Sequence, residues 1–229
     1  MRRIARITVA AAIPLAALAT AANAQLAGIP VYFSPAGGTG VGIAANLGLP
    51  NSDAGGGTAY GVAASLGTGP VTISGMVGAW KATAGNYGWG SAQASYGGAI
   101  SYRLIGGGML PVAIAVQGGY GVIKAPAVSV VPGYTITSIP VGVGISLDPP
   151  FFPLRPWIAP RIQFTNYGSG APSTLSNTSN FAVSGGVNFN LLLGLGVHAA
   201  VDWQQQKIAG VTRTPLIWSV GAHFNLHVP

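Results

Sequence analysis

Along 215–227, Leu216, Trp218, Val220, Ala222, Phe224 and Leu226 alternate with Ser219, Gly221, His223, Asn225 and His227. Residues two apart share a face only in an extended chain, so this period predicts a strand with one apolar and one mildly polar side. The same period governs 194–204, where Leu195, Val197, Ala199, Val201 and Trp203 oppose Gly196, His198, Ala200, Asp202 and Gln204. It returns in 180–192, with Phe181, Val183, Val187, Phe189 and Leu191 set against Ser184, Asn188 and Asn190. In 91–104, Tyr96, Ile100, Tyr102 and Leu104 oppose Gln93, Ser95, Ser101 and Arg103.

Ten segments follow this rule: 38–47, 57–67, 70–81, 91–104, 110–123, 134–147, 154–165, 180–192, 194–205 and 215–227. Each approaches the roughly 9–11 residues of a tilted strand that crosses a bilayer. Short connections at Gly67–Gly69 and Gly106–Met109 alternate with longer ones at 48–56, 82–90, 124–133, 166–179 and 206–214. An even strand number, with tight turns on one side and long loops on the other, predicts an all-β protein: a closed antiparallel transmembrane β-barrel of about 10 strands. Pro140, Pro156 and Pro160 lie within the sixth and seventh segments and remove ladder donors, so a bulge is expected there. The connection at Leu193-Gly194 is apolar; were 180–205 one strand, the count would be eight or nine.

Alternation alone also fits a soluble sandwich, and composition separates the two. Only 6% of the chain is charged, Glu is absent, and Asp53, Asp148 and Asp202 are the sole acids. A sandwich needs a soluble outer face, whereas a barrel turns this weakly polar face into its bore and gives the apolar face to lipid. An apolar content of 49% argues against disorder, and the lack of Cys removes disulfides and thiolate metal sites. Aromatics add a second distinction. Tyr60, Tyr120, Phe164, Phe181, Trp203 and Trp218 fall near the loop-side strand ends, and Tyr102, Phe189 and Phe224 near the turn-side ends. These make two belts of the kind amphipathic rings form at bilayer interfaces.

Residues 1–24 have the layout of a secretory signal peptide: Arg2, Arg3 and Arg6, an apolar run from Ile7 to Ala19, and a small-x-small site at Ala22-Asn23-Ala24. Cleavage would leave 25–229 as the barrel domain and place the short turns in the periplasm. Removing those three arginines from a chain of net charge +7 leaves +4. The remaining basic residues are scattered, so no nucleic-acid partner is expected.

The run GVNFNLLLGLGVHAAVDW, which ends at Trp203, the final strand WSVGAHFNL and the export segment together resemble small bacterial outer-membrane β-barrel proteins of the OmpA/OmpX-like barrel type. The resemblance implies a bacterial outer-membrane location, outer-membrane lipid as surroundings and the barrel assembly machinery as a partner during biogenesis. Such barrels commonly end in an aromatic residue that this machinery reads; here Phe224 is followed by Asn225-Leu226-His227-Val228-Pro229.

The polar faces place Gln93, Arg103, Gln117, Arg161, Gln163, Asn188, Asn190, His198, Asp202, Ser219, His223 and Asn225 in the lumen. Matching like with like in the last hairpin sets Trp203 opposite Trp218, Val201 opposite Val220, Val197 opposite Phe224, His198 opposite His223 and Asp202 opposite Ser219. Arg161 and Asp202, both inward at similar height, should pair across the lumen, because a lone charge in a narrow barrel is costly. Arg103 should sit at the periplasmic mouth, in reach of water.

A Ser–His–Asp site would need Asp202 and Ser219 beside the histidines, yet along the strand they lie about 13 Å away at ~3.3 Å per residue. Two histidines alone make a poor metal site, so neither a metal nor a cofactor is expected. Gly38–Gly42 lacks the helix and the acidic residue of a dinucleotide loop. The leading expectation is a non-enzymatic barrel that serves the envelope and passes small solutes through a narrow, weakly anion-preferring bore, with Arg103 and Arg161 giving the preference. The alternatives are a surface binding or adhesion barrel using loops 124–133 and 166–179, and a lipid-modifying outer-membrane enzyme.

Overall fold

A computed structural model describes residues 26–30, 39–84, 88–107, 110–128, 131–148, 152–208 and 211–227; the expected export segment 1–24 lies outside the described residues. The strands are β1 (Gly40–Pro50), β2 (Thr58–Thr68), β3 (Val71–Lys81), β4 (Gln93–Gly107), β5 (Leu110–Ala125) and β6 (Tyr134–Leu147). They continue as β7 (Leu154–Tyr167), β8 (Thr178–Asn190), β9 (Leu195–Gln204), β10 (Gln206–Ile208), β11 (Val211–Arg213) and β12 (Leu216–His227). Strands β1 to β9 and β12 form a closed barrel of ten, and β10 and β11 make a separate hairpin inside the last long loop. The β1–β12 ladder closes the ring, from Gly40 opposite His227 to Pro50 opposite Ile217. Closure gives the backbone of every barrel strand a partner on both sides, the condition for crossing hydrocarbon.

The strands are strongly tilted. Paired positions run from Pro50 at the loop end of β1 through Ile217, Asp202 and Ser184 to Ala159 in mid-β7, and from Gly144 through Ala115 to Arg103 near the turn end of β4. A path across the ladders thus descends the barrel, as a closed, sheared sheet requires.

The two faces are inverted relative to a water-soluble domain. Ile43, Val62, Leu66, Ile158, Ile162, Val197, Val220 and Leu226 are exposed on the outside, while Arg161, Gln163, Ser184, Asn188, His198 and Asp202 are buried within. Keeping one Leu, Ile or Phe in water rather than in an apolar medium costs roughly 1.5–3 kcal/mol, and this face carries many. Its stable surroundings are therefore hydrocarbon.

Three local expectations change. The last hairpin is displaced by two residues: Trp203 faces Leu216, Trp218 faces Val201, Val220 faces Ala199, Val197 faces Ala222, His198 faces Gly221 and His223 faces Gly196. Such a slip keeps every side chain on its own face, so alternation does not discriminate between the two registers. Glycine does. A Cβ on Gly221 would collide with the His198 ring, and one on Gly196 with the His223 ring. Each imidazole lies in the space the opposite glycine leaves.

Pro140 pairs with Gln163 and Pro156 with Val187 without a shift of register. A missing N–H interrupts a ladder, as the skipped positions between Gly118–Val141 and Gly121–Ser138 show, but only an extra residue bulges it. The irregularity falls instead in β4, between Arg103 and Gly107. There Gly106 has φ 105°, and a Cβ on it would lie 2.6 Å from Ala113 Cα.

The apolar β8–β9 connection is a true turn, which fixes the strand number at ten. Leu191 N–H donates to Leu195 O at 2.7 Å, with Leu193 at φ 62° and Gly194 at φ 80°.

Candidate functional site

The lumen is filled unevenly, and a dense hydrogen-bonded network lies on the β7–β9 wall. Arg161 Nη2 donates to Asp202 Oδ1 and Oδ2 at 2.9 and 2.7 Å. Its Nη1 reaches Ser184 Oγ at 2.6 Å and its Nε reaches Gln163 Oε1 at 3.2 Å. Ser184 Oγ in turn donates to Asp202 Oδ2 at 3.1 Å. The guanidinium fork thus meets four acceptor atoms on three side chains, and the expected Arg161–Asp202 pair is present. Gly142, opposite Arg161, leaves room for it: a Cβ there would lie 2.6 Å from Arg161 Cβ. Because Asp202 compensates the Arg161 charge, Arg161 adds no net positive field to the bore.

A second network runs from the turn-side mouth to mid-lumen. Asp148 Oδ1 lies 2.7 Å from Arg155 Nε. With the Asn190 amide assigned the orientation that satisfies its neighbours, its oxygen accepts from Arg155 Nε and Nη1, each at 3.2 Å, and its Nδ2 donates to His223 Nε2 at 3.1 Å. His223 Nδ1 lies 3.2 Å from His198 Nδ1, and His198 Nε2 lies 2.7 Å from Asn46 Oδ1. One assignment gives every atom a role. His223 Nε2 accepts, so His223 carries its proton on Nδ1 and donates it to His198; His198 then donates from Nε2 to Asn46. The two rings stack with centroids 5.4 Å apart. Asp148, Arg155, Asn190, His223, His198 and Asn46 form one directed chain across β7, β8, β12, β9 and β1.

The opposite wall, β1 to β4, presents small residues inward, among them Gly42, Ala44, Ala63, Ser65, Ser74 and Ser101, and a cavity of about 580 Å³ runs along it. Arg103, Asn188 and Asn225 also line this cavity. Arg103 reaches Gly69 O at 3.2 Å in the β2–β3 turn, at the mouth where the sequence places it. Asn188 is buried, while Asn225 is exposed at the mouth. Gln117 is buried over Gly144, whose missing side chain makes room for its amide. Gln93 turns back to Ser91, with Nε2 at 3.0 Å from its Oγ, and so sits at the rim.

The candidate triad does not assemble. Asp202 meets Arg161 and Ser184, and Ser219 is buried opposite Ala200 and Gly48. Among the described residues no three His, Asp or Glu side chains converge as metal ligands.

The named aromatics Tyr60, Tyr102, Tyr120, Phe164, Phe181, Phe189, Trp203, Trp218 and Phe224 are all exposed on the outer surface. Phe181 and Trp203 meet edge to face at 6.4 Å.

The loop-side mouth holds what sequence reasoning missed. Leu26 and Ile29 lie buried inside the barrel with Ala59, Trp80, Ala82, Trp89, Ile123 and Ala125. Trp89 folds in from the β3–β4 connection, its ring 5.0 Å from that of Trp80, whose Nε1 donates to Gly56 O at 3.0 Å. A signal was available: Trp80 shares the inward parity of Thr72, Ser74 and Gly78, so an indole stands on the polar face beside a glycine. Asn46 and Arg155 were also missed, and Ser184 was placed on the polar face without its role in the Arg161 network. Each sits on an inward position, but only the register shows what it meets.

No protein-family model and no curated protein sequence matches the chain. Similar solved structures include the N-terminal β-barrel domain of Pseudomonas aeruginosa OprF, at 11% identity and TM-score 0.42, covering 83% of this chain and 99% of that one. Neisserial surface protein A is 14% identical with TM-score 0.39, covering 81% of this chain and 96% of its own. The outer membrane protease OmpT of Escherichia coli is 9% identical with TM-score 0.44, covering 82% and 94%.

Proposed function

We propose that the chain is an integral bacterial outer-membrane barrel without enzymatic activity, structural in the envelope and able to pass small solutes along the β1–β4 wall when its loop-side mouth is open. The observation that carries this reading is the inversion of its faces: aliphatic and aromatic side chains outside, a buried and fully paired Arg161–Asp202 within. Outer-membrane lipid is then its solvent, and the barrel assembly machinery its partner during biogenesis. Any anion preference of the bore rests on Arg103 and the mature net charge, since Arg161 is neutralised by Asp202 and Arg155 faces Asp148. The test is gel mobility of detergent-extracted protein with and without boiling. A closed barrel migrates differently before and after heating; one unchanged band, or a soluble monomer without detergent, removes the reading.

A second reading, surface binding through the loops, is favoured by one observation. The two candidate loops are joined rather than separate. Gly168 N–H donates to Thr135 O at 2.8 Å, Gly170 packs on Pro132 and Gly133, and Tyr134 meets Tyr167 at 6.4 Å. A preformed surface loses less entropy on binding a partner. Shortening 168–177 while the barrel still assembles, with adhesion to host-cell or matrix surfaces lost, would support it.

A further inference from the structure

We propose that Leu26–Pro30 is a resident plug that closes the loop-side mouth of the bore, and that its release opens a path for ions. This rests on the reading of the barrel as membrane-spanning.

The segment is folded, not merely trapped. Ile29 N–H donates to Leu26 O at 3.2 Å, closing a tight turn in which Gly28 takes φ 76°. A type II turn requires a residue at that place free to adopt positive φ, and glycine is that residue. The barrel supplies a matching seat. Gly48, Gly61 and Gly78 face inward on β1, β2 and β3, and a side chain on Gly48 would strike the Gly28 carbonyl. On Gly61 it would strike Leu26 Cδ1, and on Gly78, besides meeting the Tyr60 carbonyl, it would lie 3.0 Å from that same atom. Trp80 and Trp89 wall the seat on the loop side, and Leu26 and Ile29 are almost completely buried.

What the plug closes is visible beneath it. The cavity along the β1–β4 wall is lined at its loop end by Leu26, Ile29 and Pro30 and at its turn end by Arg103 and Asn225. The bore is thus already hollow from the turn side up to the plug. Leu, Ala, Gly, Ile and Pro carry no charge, so the plug is seated by apolar contact and a shape match, which leaves it reversible.

Two variants unseat the plug while every barrel residue keeps its identity: deletion of 26–30, and Gly28→Val. The added side chain in Gly28→Val would meet Ala59 Cβ at 2.7 Å and the Trp80 ring at 3.0 Å from a backbone angle that valine disfavours. Wild type and both variants are reconstituted into planar bilayers in potassium chloride after each has shown the heat-dependent mobility of a closed barrel. The expected result is little current from wild type and a rise on the order of tenfold or more in both variants. Acrylamide quenching of tryptophan should rise in parallel, as Trp80 and Trp89 become wet. Equal current from all three proteins, whether nil or large, overturns the proposal even if the quenching changes. Failure of the mobility shift in wild type would instead remove the membrane-barrel reading on which it stands.

Discussion

The imidazole of His198 lies over Gly221, the residue opposite it on β12, in the volume a side chain there would fill. The reciprocal contact is His223 over Gly196. Together they lock two rings between neighbouring strands with their Nδ1 atoms 3.2 Å apart. Gly221→Ala should therefore displace the His198 ring and break the chain from Asn46 to Asn190, destabilising the barrel by about 1–3 kcal/mol as overpacking does. Equilibrium unfolding by urea in lipid vesicles measures this. Gly221→Ala combined with His198→Ala should cost less than the sum of the two single changes, because the collision with the ring is gone and only the one with the Ala45 carbonyl stays. Additive costs would mean that the ring does not depend on the glycine.

That relationship also marks where the sequence stops being legible. The barrel itself is readable because a period of two, repeated ten times with alternating short and long connections, comes with too few charges for a soluble outer face and with two aromatic belts. Which residues face inward follows from parity, and so does the Arg161–Asp202 pair, since opposite charges at similar height in a narrow bore compensate each other. Register is different: a slip of two preserves every face, and the choice was made by side-chain volume at Gly196 and Gly221. Leu26 and Ile29 lie ahead of the first strand, where no period applies, and only Trp80 on an inward position hinted that something apolar fills the mouth.

At the Arg161 network the expected asymmetry is large. Asp202→Ala leaves a buried guanidinium with Ser184 and Gln163 alone, and should cost roughly 3–5 kcal/mol. Arg161→Met together with Asp202→Leu removes both charges and should cost far less, because the desolvation of each ion disappears with it. The same vesicle unfolding assay decides. A double variant as unstable as the single one would show that the hydrogen bonds to Ser184 and Gln163 matter more than charge balance.

The turn between β8 and β9 carries a correctable strain. Leu193 has φ 62°, the one positive value found for a non-glycine residue among the described residues, and its side chain is 90% exposed. Nothing is lost by removing that side chain from packing, and asparagine tolerates the left-handed region better. Leu193→Asn should stabilise the barrel by up to about 1 kcal/mol, seen as a higher midpoint in urea. A lower midpoint would mean that Leu193 contributes through contact with the bilayer surface instead.

The two populations of tryptophan provide the sharpest check on which face meets lipid. Trp203 and Trp218 are exposed on the outer surface, while Trp80 and Trp89 are buried at the mouth inside the barrel. In vesicles whose acyl chains carry bromine, a heavy-atom quencher, variants retaining only Trp203 or only Trp218 should lose emission. Variants retaining only Trp80 should not, because the β-sheet wall separates that ring from the lipid. The contrast depends only on which way each side chain points, so it is insensitive to the conductance and loop questions. Placing the bromines at different depths refines it. Trp203 and Trp218 both lie near the loop end of their strands, so shallow bromines should quench them more than bromines near the bilayer centre. Strong quenching of Trp80, or none of Trp218, would require the inside and outside of the barrel to be exchanged, and with them the buried pairing of Arg161 and Asp202.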